Sequence, residues 1–236
     1  MQIRVAVENG NDGRSLAWAL DYPGCYVYGP DESTVILSIP LAYLRYAEWI
    51  SNHTADSWVK TSSLDIRLVE VWQGYFISDD FQIRDDGIEV NAWFRDDWRP
   101  LLKLDVTRGK LLLGWSREDL LAVAQPLTKP QLSLHAPKVK NWTIQRILQH
   151  IANAEWWYLD RLELAPWKKT DLPEEPFARL ELVRARVIEV LDEFPGLEKV
   201  VGKEGEFWSP RKLLRRLLYH ERDHLGHLLQ ILTEPQ

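Results

Sequence analysis

Residues 209–233 read SPRKLLRRLLYHERDHLGHLLQILT and leave the backbone little choice but helix. Ser209 can cap free N–H groups at a helix start, and Pro210 is tolerated in a first turn. Leu213, Leu214, Leu217, Leu218, Leu225, Leu228, Leu229 and Ile231 recur at helical spacing, with Gly226 the only breaker before Pro235. At about 100° per residue, His220, His224 and His227 fall in a sector about 60° wide. The same face carries the leucines. Imidazoles aimed at an apolar core need partners, because an unpaired polar ring there costs free energy.

A metal ion is one such partner, since an i, i+4 histidine pair on one helical face offers two nitrogen donors. The alternative is one buried, hydrogen-bonded histidine with the others at the edge of the face. A third metal ligand would have to come from another helix, and residues 141–162 offer it. Thr143 can cap that segment, and Ile144, Ile147, Leu148, Ile151, Ala152, Ala154, Tyr158, Leu159 and Leu162 trace its apolar stripe. His150 lies on the stripe. Two further helices are expected, one over residues 116–127 opened by Ser116 with Glu118 and Asp119 behind it, and one over residues 177–194 ended by Pro195-Gly196. Four amphipathic helices over about 120 residues imply a four-helix bundle, where metal sites are built from facing helices.

The first half alternates instead. Strands are expected at residues 3–8, 15–21, 25–28, 65–72 and 87–93, with a helix over residues 31–50 that Asp31 or Ser33 caps and Pro40 interrupts or kinks. That order makes a small α+β domain of residues 1–110, with residues 94–111 as connection, followed by an all-α domain of residues 111–236.

The formal charge of −6 argues against nucleic acid as a partner. No run of about 18 apolar residues and no leader pattern is seen, so a cytoplasmic protein without a membrane partner is expected. One cysteine, Cys25, excludes an intramolecular disulfide framework and a cysteine-rich zinc site. A metal would therefore use His, Asp or Glu. The twelve tryptophans are spread along the chain as core or interface anchors. The adjacent Trp156 and Trp157 would suit a homodimer contact. The run Arg211, Lys212, Arg215 and Arg216 reads as a solvated helix face or as a contact for an anion.

Two resemblances add to this. Tyr22-Pro23-Gly24-Cys25-Tyr26-Val27-Tyr28-Gly29 and the following helix ending Tyr46-Ala47-Glu48-Trp49-Ile50 resemble the HicB-type small domain over roughly residues 2–72, whose members usually add a DNA-binding element and neutralise a toxin partner. No recognition helix is seen here, and a structural or partner-binding appendage is expected instead. Residues 116–234 resemble the DinB-like family of metal-binding bundles. The match rests on Trp142-Thr143 ahead of the helix bearing His150, on Phe207-Trp208-Ser209 opening the last helix, and on His220-x-x-x-His224-x-Gly226 within it. The resemblance implies an up-down-down-up bundle with His150, His220 and His224 as ligands of a divalent metal, zinc, nickel or iron.

It also implies a metal-dependent enzyme that activates a thiol or water for a small-molecule substrate, as a thiol transferase, isomerase or hydrolase. A low-molecular-weight thiol would then be co-substrate. Relatives often carry Gln where this chain has His227, which is expected to support the site from outside it rather than to compete with His224. Glu155, Glu221 and Asp223 are the general-base candidates by proximity, each with solvated helix surface as its alternative. His53 and His135 are expected to face solvent. The other class of function is a non-catalytic, metal-stabilised binding or regulatory protein whose N-terminal domain holds a partner.

Overall fold

The computed structural model describes residues 2–11, 13–135 and 142–233. Contacts divide the chain into two compact units, residues 1–99 with 200–212 and residues 100–199 with 213–236.

In the first unit, the alternating segments become β1 (Gln2–Asn11) and β2 (Arg14–Ala19), antiparallel with Val5 opposite Ala19 and Val7 opposite Ala17. Strand β3 (Tyr26–Gly29) pairs with β2, and β4 (Asp65–Gln73) lies parallel to β1, giving the order β3-β2-β1-β4. A parallel neighbour needs a long crossover. Helix α1 (Glu32–His53) lies in it and buries Val35, Ile39, Tyr43, Tyr46, Ala47 and Ile50 along one side. Asp31 caps α1 by accepting the Thr34 N–H at 2.8 Å. Pro40 sits inside this helix and does not interrupt it. The stripe buried on both sides of Pro40 outweighs the one backbone donor it lacks.

Strands β5 (Phe76–Ile77), β6 (Ile83–Arg84) and β7 (Ile88–Glu89) form a small second sheet with β5 in the middle. The strand expected over residues 87–93 is thus confined to β7. Val90 N–H still donates to the Tyr75 carbonyl at 3.0 Å, but the next two backbone donors go to carboxylates instead of a ladder. Asn91 N–H donates to Glu206 Oε1 at 2.8 Å and Ala92 N–H to Glu8 Oε1 at 2.9 Å. Glu206 belongs to a hairpin of β8 (Val201–Lys203) and β9 (Glu206–Trp208) that sequence periodicity does not reveal. Its two-residue loop, Glu204-Gly205, has both residues at positive φ, 50° and 79°. That twist suits a tight hairpin.

The second unit holds the long helices α2 (Lys103–Ala124), α4 (Ile144–Arg161) and α5 (Pro176–Leu191), the short α3 (Lys129–Leu132), and α6 (Pro210–Thr233) from Leu213 onward. Thr143 and Ser209 cap α4 and α6 as expected, accepting from Arg146 N–H and Lys212 N–H. Asn141 and Pro235, the expected limits of these two segments, lie outside the described residues. One apolar core draws Leu120 and Ala124 from α2, Ile147, Leu148 and Ile151 from α4, Leu180 from α5, and Leu228 and Ile231 from α6. The architecture is α+β, a sheet-bearing N-terminal part and a helical C-terminal part.

Helix α2 begins thirteen residues before the expected start, at Lys103 instead of Ser116. Residues 103–111 are its first turns rather than a connection. The start is set by Asp105, whose carboxylate accepts the Leu102 N–H at 2.9 Å. Ser116 lies mid-helix and is buried.

Candidate metal centre

His150 stands in the middle of α4, and His220 and His224 one turn apart on α6. The apolar stripes that pack these helices into a shared core carry the three rings with them. Their Nε2 atoms converge: His150 to His220 is 3.0 Å and His220 to His224 is 3.2 Å. Two nitrogens on one ion, each about 2.1 Å from it, stand about 3.0 Å apart at right angles and about 3.4 Å apart at the tetrahedral angle. The observed separations fall in that range.

Hydrogen bonds alone serve this arrangement poorly. A proton on His220 Nε2 can point at only one of His150 and His224 and leaves the other without a donor, whereas an unprotonated His220 Nε2 offers one lone pair to two neighbours. Protonation is no remedy. Burial pushes the His224 imidazole down to about 3, helped by His150 and His227. Burial first, then its neighbours His224, His150 and Arg216, hold His220 well below the ordinary value. Burial and Lys169 lower His150. Three neutral imidazoles with converging lone pairs are the donor set of a cation site.

Aromatic rings surround the cluster. The Trp142 ring lies nearly parallel to His224, at 5.9 Å and 17°, and edge-on to His150 at 4.8 Å. Tyr158 meets His220 edge-on at 6.2 Å.

His227 is beside the cluster, not in it. Its Nδ1 is 3.0 Å from the Nδ1 of His224, on the side of that ring facing away from His220. Its Nε2 is 3.9 Å from Asp223 Oδ2. Among the described residues, ligand-capable groups gather in two overlapping sets, His150 with His220 and His224, and Asp223 with His224 and His227. His53 and His135 belong to neither. The His53 Nδ1 sits 2.9 Å from the Trp49 carbonyl and its ring packs on Trp49, so this side chain is tied to its own helix.

The carboxylates flanking the histidines are not solvated. Glu155 and Glu221 are each 1% exposed and share two buried arginines, Arg117 of α2 and Arg184 of α5. Arg117 reaches Glu155 Oε1 at 2.8 Å and Glu221 Oε2 at 2.7 Å, while Arg184 reaches Glu221 Oε2 at 3.0 Å and also pairs with Glu155 Oε1. Their remaining donors go to the carbonyls of Leu180 and Leu113. Burial alone would raise the Glu221 carboxyl; the charges of Arg184 and Arg117 outweigh it and hold the group below its ordinary value. Glu221 is thereby held as an ion-paired anion, and both carboxylates are occupied by the same two guanidinium groups. Helical-wheel reasoning missed this set because its cations come from helices remote in sequence.

The basic run on α6 is not a solvated face either. Lys212 is fully buried, its Nζ donating to the carbonyls of Asn91 and Phe207 within the first unit, 4.4 Å from the Trp208 ring centre. Arg215 and Arg216 are buried as well. Trp156 and Trp157 are half-buried, with Trp156 Nε1 donating to the Trp167 carbonyl and Arg161 lying over the Trp157 ring. No helix among the described residues is long and apolar enough to cross a membrane.

No curated protein and no solved structure gives a match to this chain. A family model does: residues 112–228, from within α2 to within α6, match the DinB superfamily, and the C-terminal half of the chain is thereby a DinB-superfamily domain.

Proposed function

We propose that this protein is a metal-dependent enzyme in which His150, His220 and His224 hold one divalent ion through Nε2. The convergence of three neutral imidazole nitrogens at 3.0 and 3.2 Å carries the reading. Imidazole ligands suit zinc, nickel and iron alike. Three protein ligands leave a coordination position open, the pattern of catalytic sites. Bound there, a divalent ion lowers the pKa of a water or thiol so that its anion forms near neutral pH.

The chain's own residues do the rest. His150 fixes the α4 side of the site and the His220/His224 pair the α6 side, all three kept unprotonated by burial. Trp142 presents an aromatic wall to a small-molecule substrate or to a low-molecular-weight thiol co-substrate. The reaction class is thiol transfer, isomerisation or hydrolysis. In this reading the four long helices form an up-down-down-up bundle, the N-terminal HicB-like part is an accessory domain, and the protein works in the cytoplasm, as a homodimer that light scattering would register.

A second reading, a metal-stabilised binding or regulatory protein without turnover, is favoured by one observation. Glu155 and Glu221 are committed to Arg117 and Arg184 and are not available to move protons. Elemental analysis of the purified, untagged protein beside His220→Ala tests the site. Near-stoichiometric metal, lost in the variant, supports it; no metal after reconstitution with zinc, nickel and iron overturns it. His150→Ala then separates the two readings. A catalytic ion leaves that variant folded, short only of the stability that metal binding adds, and without turnover of thiol or ester substrates, whereas a structural ion leaves it unfolded.

A further inference from the structure

The outer nitrogens of the three histidines are not treated alike. His224 has its Nδ1 in hydrogen-bond contact, 3.0 Å from Nδ1 of His227. Among the described residues, the second nitrogens of His150 and His220 make no such bond. A neutral imidazole carries one proton. If Nε2 of His224 is to offer a lone pair toward His220 and His150, its proton must sit on Nδ1, aimed at His227. The His227 Nδ1 must then be the acceptor, which places the His227 proton on Nε2, the nitrogen that faces Asp223 Oδ2 at 3.9 Å. The tautomer of His224 thus fixes that of His227 across the 3.0 Å contact.

We propose that His227 is a positioning residue for this centre. It holds His224 in the tautomer and ring orientation that point Nε2 at the ion. Outer partners of ligating histidines are usually carboxylates, carbonyls or water; here the partner is a second imidazole on the same helix, three residues on. That spacing lets the two rings meet on one face of α6. His227 does not touch the ion. The inference rests on the three-histidine reading and adds to it the residue that orders its third ligand.

The test uses the full chain, stripped of metal and titrated with cobalt(II) and with zinc against a competing chelator. Three substitutions separate chemistry from bulk: His227→Ala removes the ring, His227→Phe keeps a ring without a nitrogen, and His227→Asn places a carbonyl oxygen near the lost Nδ1. Wild type is expected to take up one equivalent. The Ala and Phe variants should bind about 10- to 100-fold more weakly and show an altered cobalt visible spectrum, with Asn restoring affinity to within a few-fold. Nitrogen-15 spectra of the zinc form should show a protonated, slowly exchanging Nδ1 on His224 in wild type and rapid exchange in His227→Phe. His227 is partly exposed, and unchanged thermal unfolding of the metal-free variants shows that the fold is kept.

Equal affinity and equal spectra across all four proteins would sink the inference while leaving the three-histidine site standing. Two equivalents in wild type, falling to one in His227→Ala, would overturn it in favour of His227 as a ligand of a second ion. No uptake by wild type would overturn both readings together.

Discussion

The Arg117 guanidinium of α2 meets Glu221 Oε2 of α6 at 2.7 Å, one residue along the chain from the candidate ligand His220. With Arg184 and Glu155 the pair makes a charge-neutral set of two cations and two anions, one from each long helix of the second unit. Removing one anion leaves two buried guanidinium groups sharing one carboxylate, a net charge in the interior. Glu221→Gln is therefore expected to destabilise the protein by about 3–5 kcal/mol, measured by urea unfolding.

The metal-free protein should lose stability in acid through its histidines. Folded-state pKa values lie below the ordinary 6.5, at about 3 for His224. Below about 6.5 the unfolded chain binds more protons than the folded one, so stability falls as pH drops, and the His224 contribution levels off below about 3. The slope is at most about 1.4 kcal/mol per pH unit for each such histidine. Urea unfolding of chelator-treated protein at pH 7.5, 6 and 5 measures it. His224→Phe should flatten the dependence.

Metal should stabilise what it binds. Zinc at a hundred times its dissociation constant is expected to add about 2.7 kcal/mol to the wild type, and a chelator should remove the gain. His150→Ala should show no such increment. Thermal unfolding with and without added zinc reads both.

Glycines within the helices should divide by surroundings. A Cβ on Gly109 would lie 2.9 and 3.0 Å from the Leu214 methyl carbons, whereas Gly114 and Gly226 have nothing within 4 Å of theirs. Gly114→Ala and Gly226→Ala are expected to stabilise by about 0.5–1 kcal/mol through helix propensity. In Gly109→Ala the crowding, about 1–3 kcal/mol, should cancel or reverse that gain. Thermal unfolding of the three variants gives the order.

What could be read in the sequence was local. Asp31, Thr143 and Ser209 announce their helices because a cap acts within three residues. His150, His220 and His224 could be brought together because each sits on an apolar stripe that must face a core. The start of α2 escaped because a leucine stands at its entry and the carboxylate of Asp105, one turn in, holds that leucine's N–H. Ser116-Arg117-Glu118-Asp119 imitates a helix start in a place where tertiary packing continues the helix. The β8–β9 hairpin, with three-residue strands, is too short for periodicity and is marked only by Glu204-Gly205. Neither sequence reading of Glu155 and Glu221, general base or solvated surface, reaches the buried ion pairs, because nothing in their own segments names Arg117 and Arg184 as partners.

The neutral quartet also bears on how the second unit comes into being. Any three of its members leave a net charge in an apolar interior, so an assembly missing one long helix is penalised even where its leucines would pack. Partial assemblies are thus scarcely populated, and the unit forms as a whole or not at all. The three imidazoles, drawn from two of those helices, acquire their spacing in that same final step. In a chain truncated before α6 the second unit should then be unfolded, rather than folded and merely lacking two histidines.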